Sequence, residues 1–210
     1  MKPFLLFDFD GTIADSIHLG WKIANQMAPK FGHAEFTDED FQRFRSMPMR
    51  KVLKELHIPL HKIPHAITMA LVEYKHFAHE LEPCREIIPM LNQLSEMQIP
   101  MALLSSNSKE NLYMFLWRMQ ITSFQWVDGT SGVLNKKLRI KQQIKKHGLD
   151  PRQIIYVGDE TRDIDAAKKC GLRVIAVTWG FHTAELLSSH DPDYLVNSPD
   201  EIVKIIQSLQ

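Results

Sequence analysis

Phe4-Leu5-Leu6-Phe7-Asp8-Phe9-Asp10-Gly11-Thr12 is the stretch that decides the fold. Four apolar residues run straight into two carboxylates and a glycine. The run lacks the alternation of a strand with one wet face, so it reads as a strand covered on both faces. If the strand breaks after Asp8, the carboxylates of Asp8 and Asp10 can approach one centre, and Gly11 permits the tight turn. The same pattern recurs three times. Met101-Ala102-Leu103-Leu104 ends at Ser105-Ser106-Asn107, Ile154-Ile155-Tyr156-Val157 at Gly158-Asp159, and Val174-Ile175-Ala176-Val177 at Thr178-Trp179-Gly180. Helical periodicity fills the intervals, as in residues 85–97 and behind an N-cap at Ser108, so the chain reads as an α/β domain with a parallel sheet. Ligands in such folds bind outside the carboxyl ends of the strands. Asp8, Ser106 and Asp159 are therefore expected to share one crevice.

One interval is too long for a connection. Residues 16–82 contain no strand-like run but four helical patterns: Ile17 to Phe31, one capped by Thr37 around Phe41 and Phe44, one opened by Pro48, and one opened by Pro64 with Ile67, Leu71, Tyr74 and Phe77 on its stripe. A βα connection is normally about two to six residues. The expectation is a body formed by residues 1–15 and 83–210, with an all-helical domain over residues 16–82 inserted above the strand ends. At the C-terminus, Ser198-Pro199-Asp200-Glu201 reads as an N-cap, a proline at N1 and a capping-box acid.

Composition excludes several classes of function. The 210 residues carry 25 basic and 25 acidic side chains, so no basic excess exists to neutralise nucleic-acid phosphates. No apolar run approaches the roughly 18 residues of a membrane span. The N-terminal residues are not expected to be a signal peptide. Two cysteines without ligand spacing, Cys84 and Cys170, fit a reducing cytoplasm. His57, His61 and His65 have helical spacing, but Pro59 and Pro64 interrupt it, which argues against a metal site there.

The second chemical signal is Gly158-Asp159-Glu160-Thr161-Arg162-Asp163. Three acids in five residues repel one another unless a positive centre sits among them, and a hard divalent cation with oxygen ligands is the obvious candidate. The bland alternative is an acidic helix start favoured by the macrodipole. Ser106-Asn107 and the Lys136-Lys137 pair are weaker signals. Taken in this order, the four segments resemble the haloacid dehalogenase-like hydrolase superfamily, over nearly the whole chain. The helical insertion looks like that superfamily's first type of cap domain, and the protein is most similar to the phosphoglycolate phosphatase and β-phosphoglucomutase branch. It departs from the family pattern in lacking a Lys-Pro-x-Pro segment around the lysine.

The resemblance implies a Rossmann-like core with helices on both faces and a Mg²⁺-dependent phosphatase acting through an aspartyl-phosphate. Asp8 would be the nucleophile and Asp10 the general acid and base. Asp8, the Asp10 backbone carbonyl and Asp159 would hold Mg²⁺. Ser106 and Lys136 would bind the transferring phosphoryl oxygens. Thr12, Asn107 and Asp163 would support the site from behind, and Arg50 would meet the substrate. Helical phase selects the lysine: Lys136, Ile140 and Ile144 share the stripe that should face the body, whereas Lys137, Lys141 and Lys145 are polar throughout. Arg43, Arg45 and Arg50 flank a loop of the insertion and read either as solvated charge or as a clamp for a substrate anion. The expected substrate is a small phosphorylated metabolite, phosphoglycolate-like, handled by a monomer or homodimer without nucleic acid or membrane. A phosphomutase remains the alternative, followed by an inactive binding protein or a receiver-like signalling module.

Overall fold

Strand β1 (Phe4–Phe7) leads into a wholly helical excursion: α1 (Ile17–Met27), α2 (Asp38–Arg45), α3 (Met49–Glu55) and α4 (Ile63–Phe77). The chain then alternates through α5 (Ile87–Glu96), β2 (Met101–Ser105), α6 (Lys109–Arg118), β3 (Trp126–Gly129), α7 (Lys136–His147), β4 (Ile154–Gly158), α8 (Thr161–Lys168), β5 (Arg173–Val177), α9 (Ala184–Ser188), β6 (Tyr194–Val196) and α10 (Pro199–Ser208). This computed structural model describes residues 2–130 and 136–210; Met1 and residues 131–135, which the sequence assigns to the body, lie outside the described residues.

The six strands are all parallel, in the order β3-β2-β1-β4-β5-β6. From β1 the chain builds outward through β2 and β3, then returns to the other side of β1 for β4, β5 and β6. The crevice of a doubly wound sheet opens at that reversal, between β1 and β4 at their carboxyl ends. Phe7 pairs with Val157, so the two strands end side by side, at Asp8 and at Gly158-Asp159.

Strand alternation divides the core. Leu5 and Phe7 face one layer with Leu91 and Leu94 of α5, Phe115 of α6 and Ile206 of α10. Phe4 and Leu6 face the opposite layer, with Ile140 of α7 and Ile164 of α8. Both faces are covered, which is why β1, β2, β4 and β5 are apolar apart from Ser105 at the end of β2 and the half-buried Arg173 at the start of β5. The helical excursion has a small core of its own, Phe44, Met47 and Val52, with Trp21, Phe36 and Leu56 packed against it. Its two ends leave the body side by side. Asp15 N–H donates to the Glu82 carbonyl and Cys84 N–H to the Ile13 carbonyl, both at 2.9 Å.

The structure departs from the sequence expectation in two places. Strands β3 and β6 lie at the sheet edges and are four and three residues long, half-buried for most of their length; neither makes a long apolar run. At α10, Ser198 is the N-cap and Pro199 the first residue, but the Ser198 hydroxyl does not accept from the backbone. It donates to Glu201 at 3.0 Å and to Asp200, because carboxylates are the stronger acceptors.

Candidate active site

The ladder between β1 and β4 continues one residue past β1, with Asp8 N–H donating to the Val157 carbonyl at 2.8 Å. The chain then turns sharply. Ile13 and Ala14 N–H both donate to the Phe9 carbonyl, at 2.8 and 3.0 Å, and Gly11 adopts φ +70°. This turn carries Thr12, fully buried, across to Asp159, where its hydroxyl donates to Oδ1 at 3.1 Å. The other Asp159 oxygen accepts from Phe181 N–H at 2.7 Å. A Cβ on Gly11 would overlap Asp159 Oδ2, and one on Gly180 would overlap the Asp159 side chain. Backbone thus encloses this carboxylate on two sides, and both glycines are required by that approach.

Lys136, the first residue of α7, reaches the crevice. Its ammonium donates to Asp8 Oδ2 at 2.5 Å and also to Asp163. The second oxygens are held as well: Asp8 Oδ1 accepts from Phe9 N–H at 2.8 Å, and Asp163 Oδ2 from Glu160 N–H at 3.3 Å. On the same helix Ile140 is buried and Ile144 packs on the body, so the stripe carrying Lys136 is the one facing inward.

Asp10 lies to one side. Its Oδ1 accepts from the Tyr74 hydroxyl at 2.6 Å and its Oδ2 from the Asn107 amide at 3.3 Å. Asn107 is fixed in turn: its Oδ1 accepts from Ser108 N–H at 2.8 Å and from the Asn111 amide at 2.9 Å. Ser106 follows β2, half-buried, with no hydrogen bond from its hydroxyl to another described residue. Arg50 is exposed near the start of α3, without a polar partner among the described residues. Lys136 therefore joins Asp8 to Asp163, Thr12 joins Asp159, whose carboxylate lies within 4.8 Å of the other two, Asp10 and Asn107 join each other, and Arg50 is joined to none of them among the described residues.

Burial raises the carboxyl pKa values of Asp8 and Asp10, and that of Asp159 well above the ordinary range, with Glu160, Asp163 and Asp8 adding repulsion at Asp159. Burial opposes the charge on Lys136, but Asp163 and Asp8 outweigh it and hold the ammonium well above the usual lysine value. The carboxylates of Asp8, Asp10, Asp159, Glu160 and Asp163 outnumber the cations Lys136 and Arg162, and Arg162 is paired with Glu160 at 2.5 Å. Asp8, Asp159 and Asp163 are all buried, and each offers an oxygen within 4.8 Å of the others. Such a crowded, under-neutralised set of hard oxygen donors fits a divalent cation such as Mg²⁺.

Several groups at the site carried no clear sequence signal. Tyr74 occupies an apolar stripe and reads there as core. Phe181 contributes only its backbone. His182, almost fully buried, accepts at Nδ1 from Thr161 N–H at 3.0 Å and so fixes the start of α8, and burial lowers its pKa. Arg45, expected as free charge or as a clamp, donates from Nε to the Phe181 carbonyl at 2.7 Å and from Nη2 to the Gly180 carbonyl at 3.0 Å. Arg43 pairs with Asp40 at 2.6 Å and Glu55 at 3.2 Å.

Comparison with known proteins identifies the family and the fold. Residues 5–177 match the haloacid dehalogenase-like hydrolase family. A phosphoglycolate phosphatase of Synechococcus elongatus is 31% identical over 98% of this chain and 97% of its own length. Among solved structures, a predicted phosphatase of Clostridium acetobutylicum superposes with a TM-score of 0.86 at 23% identity, over 99% of both chains. A haloacid dehalogenase-like family hydrolase of Streptococcus pneumoniae gives 0.81 at 24%, over 97% of this chain and 98% of that one. No helix among the described residues is long and apolar enough to cross a membrane.

Proposed function

The chain belongs to the haloacid dehalogenase-like hydrolases and is a phosphatase; from that premise we propose that it hydrolyses a small phosphoglycolate-like monoester through an aspartyl-phosphate on Asp8. The observation that carries this reading is the Lys136 ammonium seated on Asp8 at 2.5 Å, with an Asp159 oxygen within 4.8 Å of the Asp8 carboxylate. That contact holds an anionic nucleophile in place at the strand end and supplies a cation where phosphoryl oxygens would lie. Asp8, Asp159 and the Asp10 backbone carbonyl would hold Mg²⁺, with Asp163 beside them. Bound there, the ion offsets the repulsion between an anionic nucleophile and an anionic substrate.

An Asp8 oxygen attacks phosphorus, and the bond from phosphorus to the leaving oxygen breaks. Asp10 gives its proton to that oxygen and is left as a carboxylate. Asp10 then takes a proton from water as the water oxygen attacks phosphorus, releasing phosphate and restoring both carboxyl groups. Ser106 and Lys136 bind the equatorial oxygens, and Asp163 keeps the lysine aimed. Residues 16–82 act as a cap that closes over the crevice, hinged where the paired segments at Ala14 and Pro83 meet. Among Arg43, Arg45 and Arg50, Arg50 is the one left for an acidic leaving group, since the other two have partners. The 31% identity to a phosphoglycolate phosphatase supports an acidic substrate of that kind.

The test is phosphate release from a panel containing phosphoglycolate, hexose phosphates and pyrophosphate, with Mg²⁺ and with chelator. Metal-dependent release from a small acidic monoester is expected. Isomerisation of a hexose phosphate without release would make the enzyme a mutase, and release that survives chelation would overturn the metal assignment.

A further inference from the structure

The Tyr74–Asp10 contact is a polar bond between the inserted helices and a group proposed to do chemistry. Tyr74 belongs to α4, which has no fully buried residue, yet its ring packs against the main body core and its hydroxyl is 2.6 Å from Asp10 Oδ1. Apart from Tyr74, Asp10 is held by the longer 3.3 Å contact from Asn107 to Oδ2 and by the side chain of Ser16 at the joint between insertion and body. Without its shortest hydrogen bond a carboxyl can turn away from the leaving oxygen, and a proton donor loses efficiency when it is misdirected. Other contacts near Tyr74 offer no such control. Lys75 and Glu110, 3.5 Å apart, are both highly exposed, and such pairs are worth little.

We infer that Tyr74 is a positioning residue for Asp10: docking of α4 places its phenol on Oδ1, fixes the carboxyl plane and leaves Oδ2 to carry the proton delivered to the leaving oxygen. This rests on the acid–base role proposed above for Asp10. The proton balance is that of the first step: Asp8 bonds to phosphorus, the ester bond breaks, and the Oδ2 proton moves to the leaving alkoxide. The phenol keeps its own proton, because burial and the adjacent Asp10 charge raise its pKa. Productive protonation is thereby tied to the docked cap.

The test exploits leaving groups. An alkyl alkoxide needs the proton, whereas p-nitrophenolate leaves without it. The readout is the ratio of kcat/KM for the fastest alkyl phosphomonoester to that for p-nitrophenyl phosphate, in the full-length enzyme with Mg²⁺. Tyr74→Phe keeps the ring packing and is expected to lower this ratio at least about tenfold, part of the roughly 10²–10⁴-fold that general acids supply. Lys75→Ala, next to it on α4, should leave the ratio at the wild-type value. An unchanged ratio in Tyr74→Phe, or an equal fall in Lys75→Ala, would overturn the inference in favour of simple cap docking. Asp10→Asn separates the two levels. If it collapses the ratio while Tyr74→Phe does not, the acid role stands and only the positioning role fails. If Asp10→Asn leaves the ratio intact, the acid role fails and this inference with it.

Discussion

The sheet body and the helical insertion are held together by different means. In the body, Leu5, Phe7, Leu103, Ile155 and Val157 have no exposed surface, and backbone ladders run on both sides of β1. In the insertion, α4 buries no residue completely and the separate apolar cluster centres on Phe44, Met47 and Val52. Its attachments to the body combine the apolar packing of Leu19 and the Tyr74 ring with polar contacts: Arg45 on the Gly180 and Phe181 carbonyls, Thr183 N–H on the Arg45 carbonyl at 3.2 Å, and Tyr74 on Asp10. A tightly packed region keeps reacting groups in register, while a region held by a few exchangeable hydrogen bonds and partly buried side chains can open and close. Chemistry should therefore fail all at once when the body side of the crevice is altered, and by degrees when the insertion is.

The largest effect belongs to Asp8. Asp8→Asn should cut kcat on the order of 10⁴-fold or more without unfolding the chain, as loss of a covalent nucleophile does; phosphate release beside a circular dichroism spectrum checks it. Asp159→Ala should raise the Mg²⁺ concentration for half-maximal rate by about 100-fold or more, since lesser perturbations of a metal's surroundings already cost roughly 10–100-fold. A metal titration that superposes on wild type would move the ligand elsewhere. On the insertion side the change should be graded. Arg50→Ala should raise KM for an acidic monoester by about tenfold, the worth of one charge-assisted hydrogen bond, yet spare p-nitrophenyl phosphate. An unaltered substrate profile would make Arg50 plain surface charge.

The smallest predicted effect is thermodynamic. The Asp8, Asp10 and Asp159 carboxyls have folded-state pKa values above the ordinary 3.8, so the folded chain binds their protons more tightly than the unfolded chain does. Stability from these groups is complete below that value and is lost as pH rises through the raised folded values. A divalent cation binds the deprotonated carboxylates and offsets that loss. The rise in Tm on adding Mg²⁺ should be greater near about pH 8 than near about pH 5. An equal or reversed difference would separate the acidic cluster from the metal.

Legibility in the sequence follows the same division. Strands β1, β2, β4 and β5 announce themselves because burial on both faces demands a run of apolar residues, four in each. Edge strands escape that demand: β3 carries Asp128, whose carboxylate is paired with Arg139 and bonded by Gln143 at 2.9 Å, and β6 is too short to form a pattern. The helical phase that ties Lys136 to Ile140 and Ile144 is the one that sets its ammonium on Asp8 and Asp163. Tyr74 could not be assigned, since one hydroxyl on an apolar stripe looks like packing until the fold brings Asp10 beneath it. The Phe181 N–H was beyond reach for a simpler reason: a backbone donor has no residue identity. The sequence thus displays what local periodicity encodes and hides what only tertiary approach creates.

The central claim is that Asp8 becomes covalently phosphorylated. It is tested most directly by mixing the enzyme and Mg²⁺ with a phosphomonoester carrying radiolabelled phosphate, quenching in acid within a single turnover, and mapping the labelled peptide. The account predicts a hydroxylamine-labile label on the peptide containing Asp8, absent in Asp8→Asn. Turnover with label on no residue, or on another residue, would contradict it.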